Sequence, residues 1–373
     1  MASSLVLDSL EIRGYRAFHS LRVERLGRVN LIVGKNNVGK SSLLEAIWLY
    51  AHQGSPLVIW QILEARDEGA RPLRLPNEVS DAHDEVFALK HLFHGRMDIR
   101  TNAAEIRIGP VSGQDFETNA LSIAIDRRYE RIGVNGEIGL ERLKPGEHRN
   151  GDDEILVLSV GMRGYRALHR LDRPVTRLDF APFWRCVFTS ANGADIREIT
   201  QLWDGIALTS LEDDVLKALR IIAPEVDRVS LVSTPQLVRL RDRVPIAKIA
   251  NLDDPVPLRS LGEGMNRLFG IALALVNAKD GILLIDEIES GIHYSVLPKV
   301  WRLVFEVAHR LNVQVFATTH SWDCIQAFQE AAQENTEEEG VLIRLRNLKG
   351  NIVADPFDER QLSIVTREKI EVR

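Results

Sequence analysis

The sequence has few of the features that would place a protein outside the cytoplasm. It contains only two cysteines, Cys186 and Cys324, which lie far apart and outside any C-x-x-C spacing. This usage favours a reducing compartment and argues against a zinc site. No apolar run approaches the roughly 18 residues that span a membrane, and the amino terminus lacks a basic segment followed by a long apolar core. We therefore expect a cytoplasmic protein with no membrane partner.

The chain also lacks an excess of positive charge. Its formal net charge is -6 at pH 7, with 47 Lys and Arg against 53 Asp and Glu. Such a balance gives no global attraction for DNA. The most basic stretch, between residues 163 and 177, has six cationic or titratable side chains: Arg163, Arg166, His169, Arg170, Arg173 and Arg177. A solvated surface is the favoured interpretation of this stretch, so DNA stays an open alternative that the charge does not support.

Internal repeats, low-complexity segments and sustained heptads are absent as well, which excludes long coiled coils. The composition, with 45% hydrophobic and 27% charged residues, is ordinary for a globular protein of two or three subdomains. The information therefore lies in local motifs.

A complete phosphate-binding pattern occupies the stretch from Val29 to Tyr50. Gly34, Gly39, Lys40 and Ser41 fill the pattern G-x-x-x-x-G-K-[ST] between an apolar strand-like run and a helical run. Glycines let backbone N–H groups turn toward a phosphate, Lys40 can reach the β- and γ-phosphates of ATP, and Ser41 offers a hydroxyl to Mg²⁺. The other predicted nucleotide contacts of this loop are Asn36, Asn37, Val38 and Ser42.

Two acidic residues follow a second apolar strand, residues 282–285. At the carboxyl end of a strand beside a phosphate loop, Asp286 can hold the water shell of Mg²⁺, and Glu287 can polarise the attacking water as general base. We therefore expect Asp286 to serve the metal and Glu287 to be catalytic.

A further strand, residues 313–319, ends in His320. A lone histidine after a strand is usually structural. Here it is another polar residue at the carboxyl edge of a parallel strand, where open α/β sheets bind their ligands, so we favour a γ-phosphate sensor.

A serine and two glycines, Ser260, Gly262 and Gly264, begin a helix-like segment ahead of the acidic strand. Taken alone, such a start is more often a helix cap than a ligand site. Near the amino terminus, the basic and aromatic turn at residues 13–18 could lie beside an adenine, which makes Arg16 a candidate nucleotide contact.

Residues 104–160 change to an alternating pattern with a hairpin dipeptide, Asn135-Gly136, and predict an antiparallel β region. Two helices are expected after it, at residues 195–203 and 211–222. Ser210, with an acidic residue three positions later, predicts a capping box at the second helix.

The order of these motifs resembles the ATP-binding-cassette type ATPases, and within them the OLD-like branch often labelled AAA15. The resemblance covers nearly the whole chain. It implies residues 34–41 as Walker A, 260–264 as signature motif, 282–287 as Walker B, 289–293 as D-loop, and His320 as switch histidine. It also implies that Ser260, Gly262 and Gly264 close over ATP bound by another subunit, in a head-to-tail dimer.

Some motifs depart from the wider family. The signature reads SLGEG instead of LSGGQ, a form similar to OLD-type heads, and the D-loop reads ESGIH, which is closer to E-x-G-L-H than to SALD. The glutamine of the Q-loop is not evident, and the corresponding place is residues 188–192.

Related families differ in identifiable ways. SMC-class repair ATPases insert coiled coils that this sequence lacks, and RecF has a D-loop that resembles E-L-D. An OLD nuclease would carry a TOPRIM domain after the ATPase, whereas the stretch after His320 offers Asp355 and Asp358 on a polar turn. The chain therefore resembles the stand-alone ATPase subunit of PARIS-type anti-phage systems.

We accordingly predict an α/β ABC-type ATPase head with a mixed, largely parallel core sheet. The expected parts are a β-rich nucleotide-binding lobe (1–190), a short helical insertion (191–227) and a lobe with the signature, Walker B and switch motifs (228–373). The expected function is ATP hydrolysis with Mg²⁺ in a homo-oligomer that controls a separate effector, a TOPRIM-type nuclease. The alternatives are a RecF-like DNA-repair ATPase and a nucleotide-gated scaffold with little turnover.

Overall fold

The structure is a computed structural model of the 373-residue chain. It describes the following residues: 5–69, 88–96, 105–111, 120–132, 138–142, 154–160, 165–167, 182, 184–233, 243–250, 252–334, 340–358 and 361. Most of the basic stretch at 163–177 and the dipeptide Asn135-Gly136 lie outside these residues.

Strands and helices alternate in the second half of the chain, while the first half is mainly strand. The strands are β1 (Leu10–Tyr15), β2 (Phe18–Val23), β3 (Val29–Val33), β4 (Glu105–Gly109), β5 (Leu121–Ile132), β6 (Ile138–Arg142), β7 (Glu154–Val160), β8 (Tyr165–Ala167), β9 (Cys186–Thr189), β10 (Val226–Ser233), β11 (Arg243–Ile249), β12 (Val256–Pro257), β13 (Ile282–Ile285), β14 (Gln314–Thr318), β15 (Gly340–Leu348) and β16 (Asn351–Phe357). The α-helices are α1 (Lys40–Ala51), α2 (Pro56–Glu64), α3 (Ile196–Asp204), α4 (Leu211–Leu219), α5 (Glu263–Asn277), α6 (Leu297–Arg310) and α7 (Trp322–Glu334).

A six-stranded sheet in the order β16-β15-β3-β14-β13-β9 forms the centre of the molecule. Its strands are parallel except β16, which runs antiparallel to β15. Strands β3, β13 and β14 are buried at every position. Continuous apolar runs of this kind are typical of parallel strands covered on both faces, which is why the sequence shows no alternation here.

The two faces of this sheet are covered differently. Leu31, Val315 and Leu283 pack with helices α3 to α7, whereas Ile32 and Phe316 pack with α1, α2 and the antiparallel β region. Because successive side chains of a strand point to opposite faces, one short strand serves both cores. The parallel strands therefore end together at a single edge between the two layers.

The antiparallel sheet has seven strands, in the order β2-β1-β4-β5-β7-β8 with β6 paired to β5. The β5 and β6 strands pair up to Ile132 and Ile138, on either side of the predicted hairpin dipeptide. The predicted α/β class, with a largely parallel core sheet and an antiparallel β region, is confirmed. A third sheet, β10-β11-β12, has three strands.

A buried glutamine joins the amino-terminal segment to the central sheet. The Gln314 amide donates to the carbonyl oxygens of Leu7 (2.7 Å) and Gly27 (2.8 Å), and its oxygen accepts from the Leu7 N–H at 2.9 Å. Three short bonds satisfy a polar side chain that would otherwise be costly to bury. The entry into β3, and hence into the phosphate loop, is fixed by this contact.

The predicted capping box is at the wrong helix. Asp195 accepts from the N–H groups of Arg197 and Glu198, and the Glu198 carboxylate accepts from the Asp195 N–H in return, so the box caps α3. Ser210 makes no side-chain cap bond; its backbone is already helical, with φ of -64° and ψ of -12°, and the Thr209 hydroxyl accepts from the Leu211 N–H.

The domain boundaries stay a prediction, since the central sheet takes β3 and β9 from residues 1–190 and the other strands from 228–373.

Both cysteines are free; burial raises the pKa of Cys324 to about 12 and also raises the pKa of Cys186. Among the described residues no helix is long and apolar enough to cross a membrane.

Candidate functional site

The phosphate-binding pattern forms the connection between β3 and α1 at the carboxyl edge of the central sheet. The loop has backbone angles that favour glycine, with φ of 149° at Gly34 and 91° at Gly39. A Cβ on Gly34 would lie 2.6 Å from the carbonyl oxygen of Leu345, and one on Gly39 would lie 2.8 Å from the ring of Phe18. Both glycines are therefore required by conformation and by space.

Lys40 is the first residue of α1, and its ammonium group folds back over the loop. It donates to the carbonyl oxygens of Gly34 at 2.8 Å and of Lys35 at 3.2 Å. Burial lowers the pKa of Lys40, and the nearby carboxylates of Asp286 and Glu287 oppose that shift. The side chain thus holds positive charge at the helix N-terminus, where phosphate groups bind.

Ser41 and Asp286 meet across the edge of the sheet. The Ser41 hydroxyl donates to Asp286 Oδ1 at 3.1 Å, and the Thr318 hydroxyl donates to the same oxygen at 2.6 Å. The residues are 245 positions apart in the chain, and the parallel strands β3, β14 and β13 bring them together. A hydroxyl and a carboxylate are hard oxygen ligands, so this pair fits Mg²⁺ that also binds phosphate and water. No cluster of three or more His, Cys, Asp or Glu side chains suited to a metal occurs in the part of the chain that the structure describes.

Glu287 has a left-handed backbone conformation, with φ of 47°. Its N–H donates to the Thr318 hydroxyl at 2.9 Å, so Thr318 fixes both acidic residues at once. The Glu287 carboxylate is 40% exposed and lies 3.7 Å from Nδ1 of His320. A partly exposed carboxylate beside an imidazole can accept a proton from a water molecule, provided the backbone aims it correctly.

The signature residues lie apart from this cluster. Ser260 is in a 3₁₀ turn, Leu258–Leu261, and both Ser260 and Gly262 are exposed. No hydrogen bond in the described part of the chain joins them to the phosphate loop. Gly264 packs on the D-loop, where an added Cβ would lie 2.9 Å from the carbonyl oxygen of Gly291.

Arg16 is held by acidic side chains. It lies in the tight turn between β1 and β2, and its guanidinium pairs with Glu45 and Glu68, each at 2.9 Å. Its side chain is only 6% exposed; burial opposes its charge, but the neighbouring Tyr15 and the two carboxylates together raise its pKa. The structure gives Arg16 a place in a buried ion-pair network, and we do not carry it forward as a nucleotide contact.

Three residues of the site were not found from the sequence: Thr318, Glu289 and Arg267. Arg267 extends from the signature helix α5 and donates to the carbonyl oxygens of Asp286 and Glu287, at 2.8 and 3.0 Å. It also donates to Ser190 at 2.6 Å, within the segment expected to replace the Q-loop. Burial lowers the pKa of Arg267. Thr318 and Arg267 stand in no recognisable pattern, and the D-loop pattern that begins at Glu289 assigns that residue no role of its own, because all three act through contacts between distant segments.

Two family models match the chain. The model "AAA ATPase domain" matches residues 6–110, and the model "AAA domain, putative AbiEii toxin, Type IV TA system" matches residues 149–323. The first match includes the phosphate loop, and the second includes Asp286, Glu287 and His320.

One relative and one solved structure are similar over most of the chain, and another relative over a quarter of it. An "ATP/GTP phosphatase" of Helicobacter pylori is 21% identical over 356 residues, which is 88% of this chain and 89% of the relative. The "Uncharacterized protein MJECL11" of Methanocaldococcus jannaschii is 36% identical over 94 residues, 25% of this chain and 82% of the relative. Among solved structures, the "SmcHead bound to the C-winged helix domain of ScpA" aligns with a TM-score of 0.50 and 13% identity, covering 94% of this chain and 97% of that chain. Two parts of the chain therefore match AAA-type ATPase domain models, and its α/β fold resembles that of an SMC or ABC-type ATPase head.

Proposed function

We propose that this chain binds ATP with Mg²⁺ at the edge of the central sheet and hydrolyses it. The observation that carries the proposal is the contact of Ser41 with Asp286, because it joins the phosphate loop to the acidic strand end. Glu287 and His320 lie beside that contact. The relative named ATP/GTP phosphatase supports nucleotide hydrolysis, so GTP belongs beside ATP in every assay.

Binding follows from the groups that surround the loop. The N–H groups at the start of α1 point toward the phosphates, and Lys40 exchanges its bonds to Gly34 and Lys35 for bonds to phosphate oxygens. Ser41 and Asp286 would hold Mg²⁺, which offsets phosphate charge when it is bound. Thr318 keeps the Asp286 carboxylate oriented for this role.

The hydrolysis step is assigned to Glu287. Its carboxylate takes a proton from a water molecule while the water oxygen bonds to the γ-phosphorus and the bond to the ADP oxygen breaks. His320, exposed on 57% of its side chain, donates to the γ-phosphate and stabilises the charge that develops there. The products are ADP and phosphate.

We infer in addition that two copies close head to tail around the nucleotide. Ser260 and Gly262 are exposed and do not contact the phosphate loop of their own chain, so another copy can receive them. The helix that begins at Glu263 has its own positive N-terminus, which would face the γ-phosphate of the partner.

Mixing two inactive variants tests this dimer. Lys40→Ala removes the phosphate loop's function, and Ser260→Arg obstructs the signature. Because one composite site of a mixed dimer keeps both wild-type halves, we expect mixtures to recover part of the ATPase activity. Subunit exchange is checked with differently tagged chains. Mixed dimers that form and stay inactive would contradict action between subunits.

We further propose that the nucleotide state of the head controls a separately encoded effector of TOPRIM nuclease type in anti-phage defence. The support is the resemblance to OLD-like ATPases together with the ion pairing of two carboxylates near the carboxyl terminus, Asp355 and Asp358. Asp355 pairs with Arg346 at 2.5 Å, and Asp358 pairs with Arg25 at 3.7 Å. These carboxylates are neutralised by cations, unlike the clustered acids that hold catalytic metals in nucleases.

Purification of the tagged chain from its own host tests the effector. We expect a partner whose retention changes between ATP and ADP, since a ligand shifts an equilibrium only through differential affinity. The purified head alone should not cleave DNA in the presence of Mg²⁺ or Mn²⁺. Cleavage that survives mutation of Asp355 and Asp358 would contradict the assignment, and ATPase stimulation by DNA would favour the RecF-like alternative.

A further inference from the structure

Glu289, in the D-loop, contacts the segment that carries His320. Its Oε1 accepts a hydrogen bond from the Thr319 hydroxyl at 2.7 Å and another from the backbone N–H of His320 at 3.1 Å. The same oxygen lies 3.4 Å from Nδ1 of the His320 ring. One carboxylate oxygen therefore contacts the side chain before the histidine, the histidine backbone and the histidine ring.

The carboxylate is also buried to an unusual degree for this edge of the sheet. Its side chain is 10% exposed, against 40% for Glu287 and 57% for His320. Its second oxygen, Oε2, is buried and has no hydrogen-bond partner among the described residues. A buried, incompletely satisfied carboxylate is costly to retain, so a role in the fold alone would be better served by a neutral side chain.

The position relative to Glu287 matters for the reaction. Nδ1 of His320 lies between the two carboxylates, 3.4 Å from Glu289 and 3.7 Å from Glu287. If the Nδ1–H turned to Glu287, it would occupy the oxygen that must accept the proton of water. With Glu289 as the acceptor, Glu287 stays free, and Nε2 is left as the ring atom that can donate to the γ-phosphate in the proposed reaction.

We propose that Glu289 is a positioning residue that orients the His320 imidazole and keeps its Nδ1–H away from Glu287. The inference rests on the proposed ATPase function and assigns the residue that orients the catalytic histidine. Glu289 touches neither substrate nor metal in this account. It acts through His320 and through the backbone that follows β14.

Turnover and nucleotide affinity separate this role from a general structural one. We expect Glu289→Ala to lower kcat about 10- to 100-fold, the loss typical of removing a carboxylate that orients a metal-bound imidazole. The affinity for ATP should stay within about threefold, since no phosphate contact is lost. Glu289→Gln should lose less, because its carbonyl oxygen still accepts from the Thr319 hydroxyl and the His320 N–H.

A double-mutant cycle with His320→Ala is the decisive arm. If Glu289 acts through the imidazole, Glu289→Ala should cost no more than about threefold once His320 is alanine. An exposed acid remote from the site, Glu334, pairs with Arg302 and provides the control, with Glu334→Ala leaving kcat unchanged. Thermal unfolding monitors the fold, and if Glu289→Ala lowers stability, all four proteins of the cycle are assayed at a temperature at which each is fully folded.

Equal losses from the Glu289 substitution with and without the imidazole would overturn the inference, as would an unchanged kcat. Either result would leave the ATPase assignment intact, because wild-type turnover is measured in the same series. A wild-type chain that hydrolyses neither ATP nor GTP would instead overturn the proposed function, and the inference with it.

Discussion

Nucleotide binding should be lost in the Lys40→Ala protein. The ammonium group folds back over the turn of the phosphate loop, and it would contact phosphate oxygens before and during the reaction. Hydrogen bonds to charged groups contribute roughly 1.5–3 kcal/mol each, so losing two weakens binding by at least about 100-fold. Titration with a fluorescent ATP analogue measures the change, with ADP and GTP in parallel.

Lys299, an exposed lysine on α6, gives a matched control for removal of a positive charge. The Lys299→Ala protein should bind nucleotide like the wild type. Retained binding in the Lys40→Ala protein, within about threefold of the wild type, would contradict the place of Lys40 in the site.

Hydrolysis should fail in the Glu287→Gln protein although ATP still binds. The substitution keeps the size of the side chain and the hydrogen bond from the residue 287 N–H to Thr318, and it removes the proton acceptor. Loss of a general base typically costs 10²- to 10⁴-fold in the chemical step, which sets the expected fall in kcat. Single-turnover phosphate release measures the step without the contribution of product release.

The control for this variant is Glu306→Gln, an exposed acid on α6, which should hydrolyse ATP like the wild type. Parallel loss of binding and turnover in the Glu287→Gln protein would assign Glu287 to nucleotide binding. Unchanged turnover would remove it from the reaction and would favour another acid at the same edge, of which Glu289 is the nearest alternative.

Local patterns predicted the parts of the site that lie at strand ends. Lys40, Ser41, Asp286 and His320 each follow an apolar strand, and the parallel pairing of those strands places their ends at one edge. The order of the motifs was sufficient to predict that these residues lie close together, because the carboxyl ends of parallel strands in one sheet lie side by side. The contact of Ser41 with Asp286 is the direct result.

The residues that hold these side chains in place could not be predicted in the same way. Thr318 and Arg267 are ordinary residues of a strand and a helix, and their function comes from the distant carbonyl and carboxylate groups that they meet. Arg16 shows the reverse case. Its position in a basic turn near the phosphate loop predicts a nucleotide contact, whereas the structure pairs its guanidinium with Glu45 and Glu68.

The helix caps show a similar limit. Asp195 and Glu198 form the capping box in the structure, although the spacing around Ser210 predicts one at the next helix. A capping residue needs a non-helical backbone, whereas Ser210 is already helical and the hydroxyl of Thr209, one residue earlier, accepts a helix N–H. Spacing alone does not reveal either feature.

A crystal structure of the Glu287→Gln protein with ATP and Mg²⁺ tests the central claim most directly. We expect the β- and γ-phosphates within hydrogen-bond distance of Lys40 Nζ, and the metal bound by the Ser41 hydroxyl in place of the present Ser41–Asp286 hydrogen bond. The γ-phosphate should lie between residue 287 and His320. Nucleotide bound elsewhere, or a Ser41–Asp286 bond that persists beside bound ATP with no metal, would contradict the account.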